Sequence, residues 1–465
     1  MPDDKLPSGR IGRTARLGGL VAGQSLRWAG TRIANRSRTD EAAQEASAAR
    51  AMAAADEIVS ALGQMKGAAM KFGQVLSTID FEAVPEGERE AFKARLAALR
   101  DAAPSVSFDQ VRRVVEQDLG GRLAEFFSDF GSEPVAAASI GQVHRATTRD
   151  GADVAVKVQY PGVAEAVDAD LRNAGLLIPL VRRMAPGLDA KAVLGELRER
   201  IGEELDYELE AQNQRRVARA FRDHPFALVP GVHTELSARR VLVSDFVEGD
   251  GFAAIQRRSQ DERDRVGEIL FRFYFGLLNR ERMVAGDPHP GNILLAADGR
   301  VCFLDFGLMR HIPAAYLEGE RALARALREA DAVGVHAAMS RLGYLPRPDE
   351  FDPERLLVQL QEATEWWREP GERTLDPAYV AQLAERSSSP RSPSYDLMRR
   401  QTIPPQALLL RRMEALLFAV LGELRARGDW SALAGELQGG EAADTELGEA
   451  EAAWLTRRDR APARR

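Results

Sequence analysis

The sequence contains one cysteine, Cys302, among 465 residues. A framework of intrachain disulfide bonds is therefore excluded, which is typical of a protein in a reducing compartment. Cys302 lies in an apolar, strand-like run, so we interpret it as a small buried hydrophobic residue rather than a nucleophile.

Long apolar runs are also missing. The N-terminus begins Met-Pro-Asp-Asp without an apolar signal core, and no run reaches the length that spans a bilayer. The most apolar window, 407–421, is interrupted by Arg411, Arg412 and Glu414, which predicts a buried helix. We predict a cytoplasmic protein, with peripheral attachment at the inner face of the membrane as the alternative.

An excess of positive charge is missing as well. The formal net charge is −7, so we expect no nucleic-acid partner. Residues 1–40 are the exception, with eight basic residues against three aspartates and a net charge of +5. There we favour a flexible solubilising tail over a segment that contacts a membrane surface. Residues 441–465, acidic and then basic, predict a second disordered tail.

Three short motifs are present in a fixed order. They are VAVK ending at Lys157, DPHPGN from Asp287 to Asn292, and LDFG with its aspartate at position 305. Asp287 precedes Asn292 by five residues and Asp305 by eighteen, which is the spacing of the catalytic aspartate and the two metal ligands of protein kinases. The combination predicts a site for ATP or ADP and Mg²⁺.

Each motif residue has a chemical role in this prediction. Lys157 neutralises nucleotide phosphates as a point charge. Asp305 and Asn292 supply oxygen ligands to Mg²⁺, whereas Asp287 accepts a proton from an attacking hydroxyl or orients a water molecule. Because His289 has no second histidine or cysteine at zinc-ligand spacing, we favour a loop-ordering role for it.

A phosphate-binding lysine needs an acidic partner, and the predicted helix 190–222 carries an acidic stripe. Like charges at such spacings destabilise an isolated helix by about 0.2–0.5 kcal/mol per pair. A solvated acidic face is the alternative, but we predict that Lys157 and Lys71 are the counter-charges, with Glu210 as the partner of Lys157. The stripe consists of Glu199, Glu203, Asp206 and Glu210, with Glu204 beside it.

The glycine-rich loop that covers the phosphates in kinases is missing. Residues 135–143 carry three consecutive alanines, whose Cβ atoms resist positive φ and keep the backbone further from phosphates. We predict a phosphate-facing loop of different geometry, and a strand edge without a ligand role is the alternative. The predicted nucleotide-contacting residues are Ala136, Ala137, Ala138, Ser139, Ile140, Gly141, Val143, Ala155, Lys157, Asp245, Phe246 and Val247.

Together these motifs resemble the UbiB/AarF family of atypical, protein-kinase-like proteins. The family signatures are K-x-G-Q, an alanine-rich loop, V-A-V-K-V-Q-Y-P-G, E-x-D, D-P-H-P-G-N and D-F-G. This sequence has them in that order at Lys71–Gln74, Ala136–Val143, Val154–Gly162, Glu204–Asp206, Asp287–Asn292 and Asp305–Gly307.

The resemblance implies an α+β, two-lobed protein-kinase-like fold with a small β-rich N-lobe, a helical C-lobe and a family-specific N-terminal helical extension. The expected segments are a flexible tail over 1–45, the extension over 46–133, the N-lobe over 134–248, the C-lobe with its helical extension over 249–440, and the disordered tail over 441–465. In this arrangement a helix occludes the site, and the residues that take part are Lys71, Gly73, Gln74, Glu204 and Asp206.

The resemblance also implies an ATPase or a phosphotransferase acting on a small molecule or lipid, in support of isoprenoid-quinone or other membrane-lipid metabolism. Protein kinase activity is not expected. One residue departs from the pattern, because kinases and many family members have a histidine two residues before the catalytic aspartate and this chain has Ala285. The alternative is therefore a nucleotide-gated regulatory or lipid-binding pseudokinase with negligible turnover, and a helical scaffold ranks third.

Overall fold

The computed structural model describes residues 106–138, 140–174, 195, 198, 202, 205–388 and 392–460. They form two compact units. The first contains the described residues up to Leu209 together with His233–Asp245, and the second contains Glu210–Val232 and the chain from Phe246 onward. The predicted site residues that lie outside the described residues are Lys71, Gly73, Gln74, Ser139 and Glu204.

The secondary structure is mixed α and β. The strands are β1 (Phe127–Phe130), β2 (Ala136–Ala138), β3 (Gly141–Thr148), β4 (Asp153–Gln159), β5 (Ala227–Leu228), β6 (Val241–Asp245), β7 (Gly249–Gly251), β8 (Met283–Ala285), β9 (Ile293–Ala296), β10 (Val301–Phe303), β11 (Met309–His311), β12 (Arg373–Thr374) and β13 (Arg427–Gly428). The helices are α1 (Phe108–Leu119), α2 (Leu123–Phe126), α3 (Val163–Ala174), α4 (Tyr207–Ala220), α5 (Phe252–Ile255), α6 (Gln260–Glu281), α7 (Ala314–Arg328), α8 (Ala332–Leu342), α9 (Pro353–Arg368), α10 (Pro377–Ser388), α11 (Tyr395–Met398), α12 (Pro405–Leu424), α13 (Trp430–Ala434) and α14 (Glu446–Arg460). A π-helical turn (Gly435–Gly439) follows α13 directly.

The first unit is built on an antiparallel sheet in the order β1-β3-β4-β6, with β2 also paired to β3. Val154, Val156 and Val158 alternate along β4, are fully buried and pack with three valines of α1. Because side chains alternate along a strand, Ala155 and Lys157 face the opposite side of the sheet from this core.

Helix α6 is the central element of the second unit. It begins at a capping box, in which Ser259 and Glu262 exchange hydrogen bonds. Its side chains are buried almost all round, and Phe273 stacks on Phe303 of β10 with 3.5 Å between ring centroids. This stack fixes the end of β10, two residues before Asp305.

Several predictions of local structure are confirmed. The predicted buried helix at 407–421 is part of α12. Cys302 is fully buried, and burial raises the pKa of its thiol to about 12, as expected of a small hydrophobic residue rather than a nucleophile. Within the described residues no helix combines the length and apolarity needed to cross a membrane.

Two predicted boundaries are wrong. Within the tail predicted to be disordered over 441–465, residues Glu446–Arg460 form α14, whose Leu447 and Trp454 are buried. The β-rich segment begins before residue 134, because β1 pairs with β3. In addition, Glu210–Val232 belongs to the second unit.

Candidate active site

Lys157 lies in the middle of the sheet of the first unit. Its strand neighbours are Val143 on β3 and Leu242 on β6. The Nζ atom lies 5.0 Å from the centre of the Tyr207 ring, at the start of α4. Because β4 is paired on both sides, Lys157 lies on an interior strand of the sheet, on the face opposite the valine core.

The alanine-rich segment is a short antiparallel hairpin. Ala136 pairs with Val143, and Ala138 pairs with Gly141. A Cβ at Gly141 would lie 2.2 Å from the Val158 carbonyl oxygen, so this position requires glycine for close approach rather than for a positive φ. We predicted a geometry different from that of a glycine-rich loop. In the structure this segment is a pair of strands, β2 and β3, and its one glycine, Gly141, packs closely against β4.

The predicted nucleotide-contacting residues Asp245, Phe246 and Val247 lie where β6 ends. Asp245 is the last residue of the first unit, and Phe246 is the first residue after it in the second unit. The Asp245 carboxylate is 3.0 Å from Nε2 of His233. Because that carboxylate already has a partner, a nucleotide base would meet the backbone groups of this segment rather than this side chain.

The loop around Asp287 is ordered by its own hydrogen bonds. The Asp287 carbonyl oxygen accepts from the backbone N–H of His289 at 2.7 Å and from Nδ2 of Asn292 at 3.4 Å. Nδ1 of His289 accepts from the N–H of Gly291 at 3.0 Å. These contacts agree with the loop-ordering role predicted for His289, and they bring Asn292 to Asp287.

Asp305 joins this cluster through the backbone. The N–H of Leu304 donates to the Asn292 carbonyl oxygen at 3.1 Å, and Oδ1 of Asp305 accepts from the N–H of Gly307 at 2.9 Å. Tyr274 lies near both carboxylates: burial raises the pKa of its hydroxyl, and the charges of Asp287 and Asp305 raise it further. The second unit thus brings together three of the four principal motif residues.

Glu210 lies beside the same segment of the second unit. It is 3% exposed, and its Oε2 is 3.6 Å from the position that a Cβ on Gly307 would occupy. Asn213, one helical turn further along α4, donates to the Phe306 carbonyl oxygen at 3.1 Å. Glu210 therefore flanks the D-F-G motif, while its predicted pairing with Lys157 of the first unit stays a prediction.

Asp206 has a structural partner of its own. Its Oδ1 accepts from the N–H groups of Glu208 and Leu209, both at 3.1 Å. This is the contact that a helix N-cap makes, so Asp206 starts α4. The occluding role predicted for it stays a prediction, because the K-x-G-Q residues lie outside the described residues.

Arg412 of α12 also contacts the site, and sequence reasoning missed it. Its Nε donates to the Gly286 carbonyl oxygen at 3.1 Å, and its Nη2 donates to Oδ1 of Asp287 at 3.0 Å. The guanidinium therefore holds both the backbone and the carboxylate of the predicted catalytic aspartate. The available signal was the arginine pair that interrupts the apolar window 407–421.

The oxygen donors predicted at this site fit Mg²⁺ better than they fit a metal ion whose ligands all come from the protein. Within the described ranges there is no cluster of three or more His, Cys, Asp or Glu side chains that could hold a metal ion. Asn292 and Asp305, the predicted metal ligands, instead provide one amide and one carboxylate. Mg²⁺ is commonly bound through one or two carboxylates, with waters and substrate phosphates completing its octahedron.

Comparisons with known proteins identify the family. Residues 98–338, more than half of the chain, match the sequence model of the ABC1 atypical kinase-like domain. The chain belongs to the UbiB/AarF family. Membership confirms the kinase-like domain and agrees with the mixed α+β structure. Arg412 lies beyond the matched span, so the UbiB/AarF signature motifs alone do not include it.

The relatives of this UbiB/AarF protein include atypical kinases. It is 32% identical over 317 residues to atypical kinase coq-8, mitochondrial, of Caenorhabditis elegans. This similarity covers 66% of this chain and 42% of that protein. It is 34% identical over 309 residues to atypical kinase COQ8B, mitochondrial, of Rattus norvegicus, covering 66% and 58%. The chain thus spans about half the length of the curated relatives it matches.

A solved structure covers more of the chain. It is that of Rv3197 of Mycobacterium tuberculosis in complex with erythromycin, with 33% sequence identity and a TM-score of 0.61. The similarity covers 83% of this chain and 96% of the other. The structural similarity to Rv3197 therefore covers more of the chain than the ABC1 match over 98–338.

Within this UbiB/AarF protein, Arg412 supplies a hydrogen bond to Asp287 that Ala285, which replaces the usual histidine, cannot make. Ala285 is 6% exposed, ends β8 and pairs with Met309 of β11, so its methyl group cannot orient Asp287. The Arg412 guanidinium is a planar fork that can bind two acceptors at once. The carboxylate of Asp287 therefore has a positioning contact even though the histidine is missing.

We expect Gly286→Ala to destabilise the second unit by about 1–3 kcal/mol, the usual cost of overpacking. A Cβ at Gly286 would lie 2.1 Å from Cδ1 and 2.6 Å from Cγ of Leu409, one turn of α12 before Arg412, so the buried Leu409 side chain, the helix or the Asp287 loop must shift. Urea unfolding measures the change. Gly251→Ala is the matched control, because nothing lies within 4 Å of its Cβ position, and equal stability of the two variants would contradict the close approach of α12.

Proposed function

We propose that this protein binds ATP or ADP with Mg²⁺ and acts as an ATPase or as a phosphotransferase on a small molecule or lipid. The observation that carries the proposal is the hydrogen-bonded cluster of Asp287, Asn292 and Leu304–Asp305 in the second unit. A kinase-like family and three motif residues with magnesium-compatible oxygens support the same chemistry.

The roles of the residues follow from their chemistry. Mg²⁺, when bound, would supply positive charge that offsets the charge developing during phosphoryl transfer. Asp305 and Asn292 hold the metal, and Lys157, paired with Glu210, binds the phosphates. Asp287, fixed by Arg412, accepts the proton of the attacking hydroxyl or water.

The proposed arrangement is the two-lobed one implied by the sequence. The sheet of the first unit is the N-lobe, the second unit is the C-lobe, and the residues before it form the helical extension. In this proposal the extension brings Lys71, Gly73 and Gln74 to Glu204 and Asp206, where they occlude a protein substrate. Relatives named COQ8 support a role in isoprenoid-quinone or membrane-lipid metabolism.

Ligand-dependent melting tests the proposal. We expect saturating Mg²⁺ and ADP or ATP to raise the melting temperature of the wild type by several degrees, because a ligand at about 100 times its Kd stabilises by roughly 2.7 kcal/mol. Asp305→Asn should lose the Mg²⁺-dependent part of this shift. Phosphate release with lipid or phenolic activators, measured against Asp287→Asn, then tests turnover. If neither nucleotide shifts the wild type, nucleotide binding is refuted.

A second candidate is a nucleotide-gated binding protein with negligible turnover. The relative Rv3197, of which this chain covers 96%, has been solved in complex with erythromycin, a bulky small molecule. If this chain binds such a ligand, the nucleotide would control its access. Nucleotide-dependent ligand binding without phosphate release above the Asp287→Asn background would favour this candidate over the enzyme.

A further inference from the structure

A buried aromatic ring lies against the predicted phosphate-binding lysine. Tyr207 is 1% exposed, and its ring centre is 5.0 Å from Nζ of Lys157. Its hydroxyl oxygen is 3.0 Å from the position that a Cβ on Gly141 would occupy. One side chain therefore contacts the lysine and the end of the alanine-rich hairpin within the same unit.

The backbone around Tyr207 is anchored at several points. The Tyr207 N–H donates to the Arg239 carbonyl oxygen at 3.0 Å, and Nε2 of Gln159 donates to the Leu205 carbonyl oxygen at 2.9 Å. Asp206 caps the helix that Tyr207 begins. Because Gln159 lies two residues after Lys157 on β4, the strand that carries the lysine also holds the segment that carries the ring.

We propose that Tyr207 is a positioning residue that sets the location of the Lys157 ammonium for nucleotide phosphates. It also limits how closely the alanine hairpin can approach β4 at Gly141. This rests on the proposed nucleotide-binding function. A lysine side chain is long and flexible, so an ammonium without a fixed neighbour loses conformational entropy when it binds a phosphate. An aromatic face within about 6 Å attracts the cation and reduces that loss.

The hydroxyl of Tyr207 acts on the hairpin. The Val158 carbonyl group and the Tyr207 hydroxyl both lie close to the position that a Cβ on Gly141 would occupy, so only glycine fits between them. The hairpin therefore rests on β4 and on Tyr207. In this proposal the Tyr207 ring positions the lysine, and the Tyr207 hydroxyl supports the hairpin.

Calorimetric titration of the full chain with ADP and with adenosine tests the proposal. We expect Tyr207→Leu, which removes the ring, to weaken Mg²⁺–ADP binding about five- to tenfold and to leave adenosine binding unchanged. Tyr207→Phe keeps the ring and should retain most of the ADP affinity. Unaltered ADP binding in a folded Tyr207→Leu protein overturns the proposal, and so does an equal loss for ADP and adenosine.

Chemical labelling separates this proposal from the proposed function. Acetic anhydride labelling of Lys157, followed by peptide mass spectrometry, requires no nucleotide. Removal of the ring uncovers one side of the amine, so Tyr207→Leu should be labelled about threefold faster than wild type or Tyr207→Phe. Unchanged labelling overturns the contact between ring and lysine. Absence of any nucleotide binding by the wild type, with faster labelling of Tyr207→Leu, refutes only the nucleotide-binding function.

Discussion

Arg412→Gln is expected to lower kcat about 100-fold, because a small misplacement of a catalytic group is enough for such a loss. The Kd for nucleotide should change by less than about twofold, since Arg412 contacts Asp287 and not the predicted phosphate or metal ligands. Steady-state phosphate release and nucleotide titration on the same preparations measure the two quantities.

The physical reason lies in the geometry of the guanidinium. Two of its N–H groups reach two acceptors that belong to consecutive residues, the Gly286 carbonyl group and the Asp287 carboxylate. Glutamine cannot supply this fork. Lysine keeps the charge but presents an ammonium of different geometry, so Arg412→Lys should recover about tenfold of the lost rate.

An exposed arginine provides the control for this experiment. The side chain of Arg347 is 70% exposed and pairs with Glu350 across a single 3₁₀ turn. Arg347→Gln should leave kcat unchanged. A wild-type kcat in Arg412→Gln would show that Asp287 is oriented without the guanidinium, and a parallel loss of nucleotide affinity would point to a wider rearrangement of the site.

The local parts of this site were predictable from sequence because they depend on short spacings. The interval from Asp287 to Asn292 fits a tight loop, and the apolar run before Asp305 fits a buried strand. Both features are confirmed as backbone structure, by the 3₁₀ turn at Pro290–Asn292 and by β10. The apolar window at 407–421 likewise identified most of α12.

The long-range contacts were not predictable, because composition does not specify a partner. Arg412 follows Asp287 by 125 residues, and the sequence shows only an arginine that interrupts an apolar helix. Helix α14 looked disordered because its sequence is acidic and then basic. Its order depends on Glu451, a buried carboxylate that has its cation, Arg272, 179 residues earlier in the chain.

Arg272 is the centre of a buried ionic cluster in the second unit. Its side chain is fully buried on α6 and makes five hydrogen bonds. Burial alone would lower the pKa of Arg272, but the carboxylates of Glu436 and Glu268 raise it above the ordinary value. The cluster joins α6 to the π-helical turn and to α14, and its acceptors are Glu268, Glu436, Thr445 and Glu451.

Neutral His224 completes this cluster. Its Nδ1 accepts from the N–H of Ala227 at 3.2 Å, so its Nε2 carries the proton that faces Glu451 at 3.3 Å. Burial lowers the pKa of His224. Burial also acts to raise the pKa of Glu451, but the hydrogen bond from His224 and the charges of Arg280 and Arg272 lower it overall. Glu451 therefore contributes stability above its ordinary pKa, and this is lost as the pH falls through its folded pKa.

Arg272→Met is expected to destabilise the second unit by about 3–5 kcal/mol at pH 7, because it leaves buried carboxylates without their cation. Urea unfolding followed by tryptophan fluorescence measures this, since four of the five tryptophans lie in the second unit. Arg258→Met is the control. Arg258 also bridges two carboxylates, Asp250 and Glu262, but its side chain is 36% exposed, so we expect a loss of less than about 1 kcal/mol.

The pH dependence distinguishes charge from packing as the cause of the Arg272→Met effect. A carboxylate that is buried without a cation has a raised pKa, so protonation of a carboxylate left without Arg272 lets the folded variant regain stability as the pH falls from 7. In the wild type, the stability that Glu451 contributes is lost only below its ordinary pKa, outside this range. The difference in unfolding free energy between the two proteins should therefore shrink from pH 7 to pH 5. A difference that stays constant over this range would mean that the variant is destabilised by lost packing and not by an unpaired buried charge.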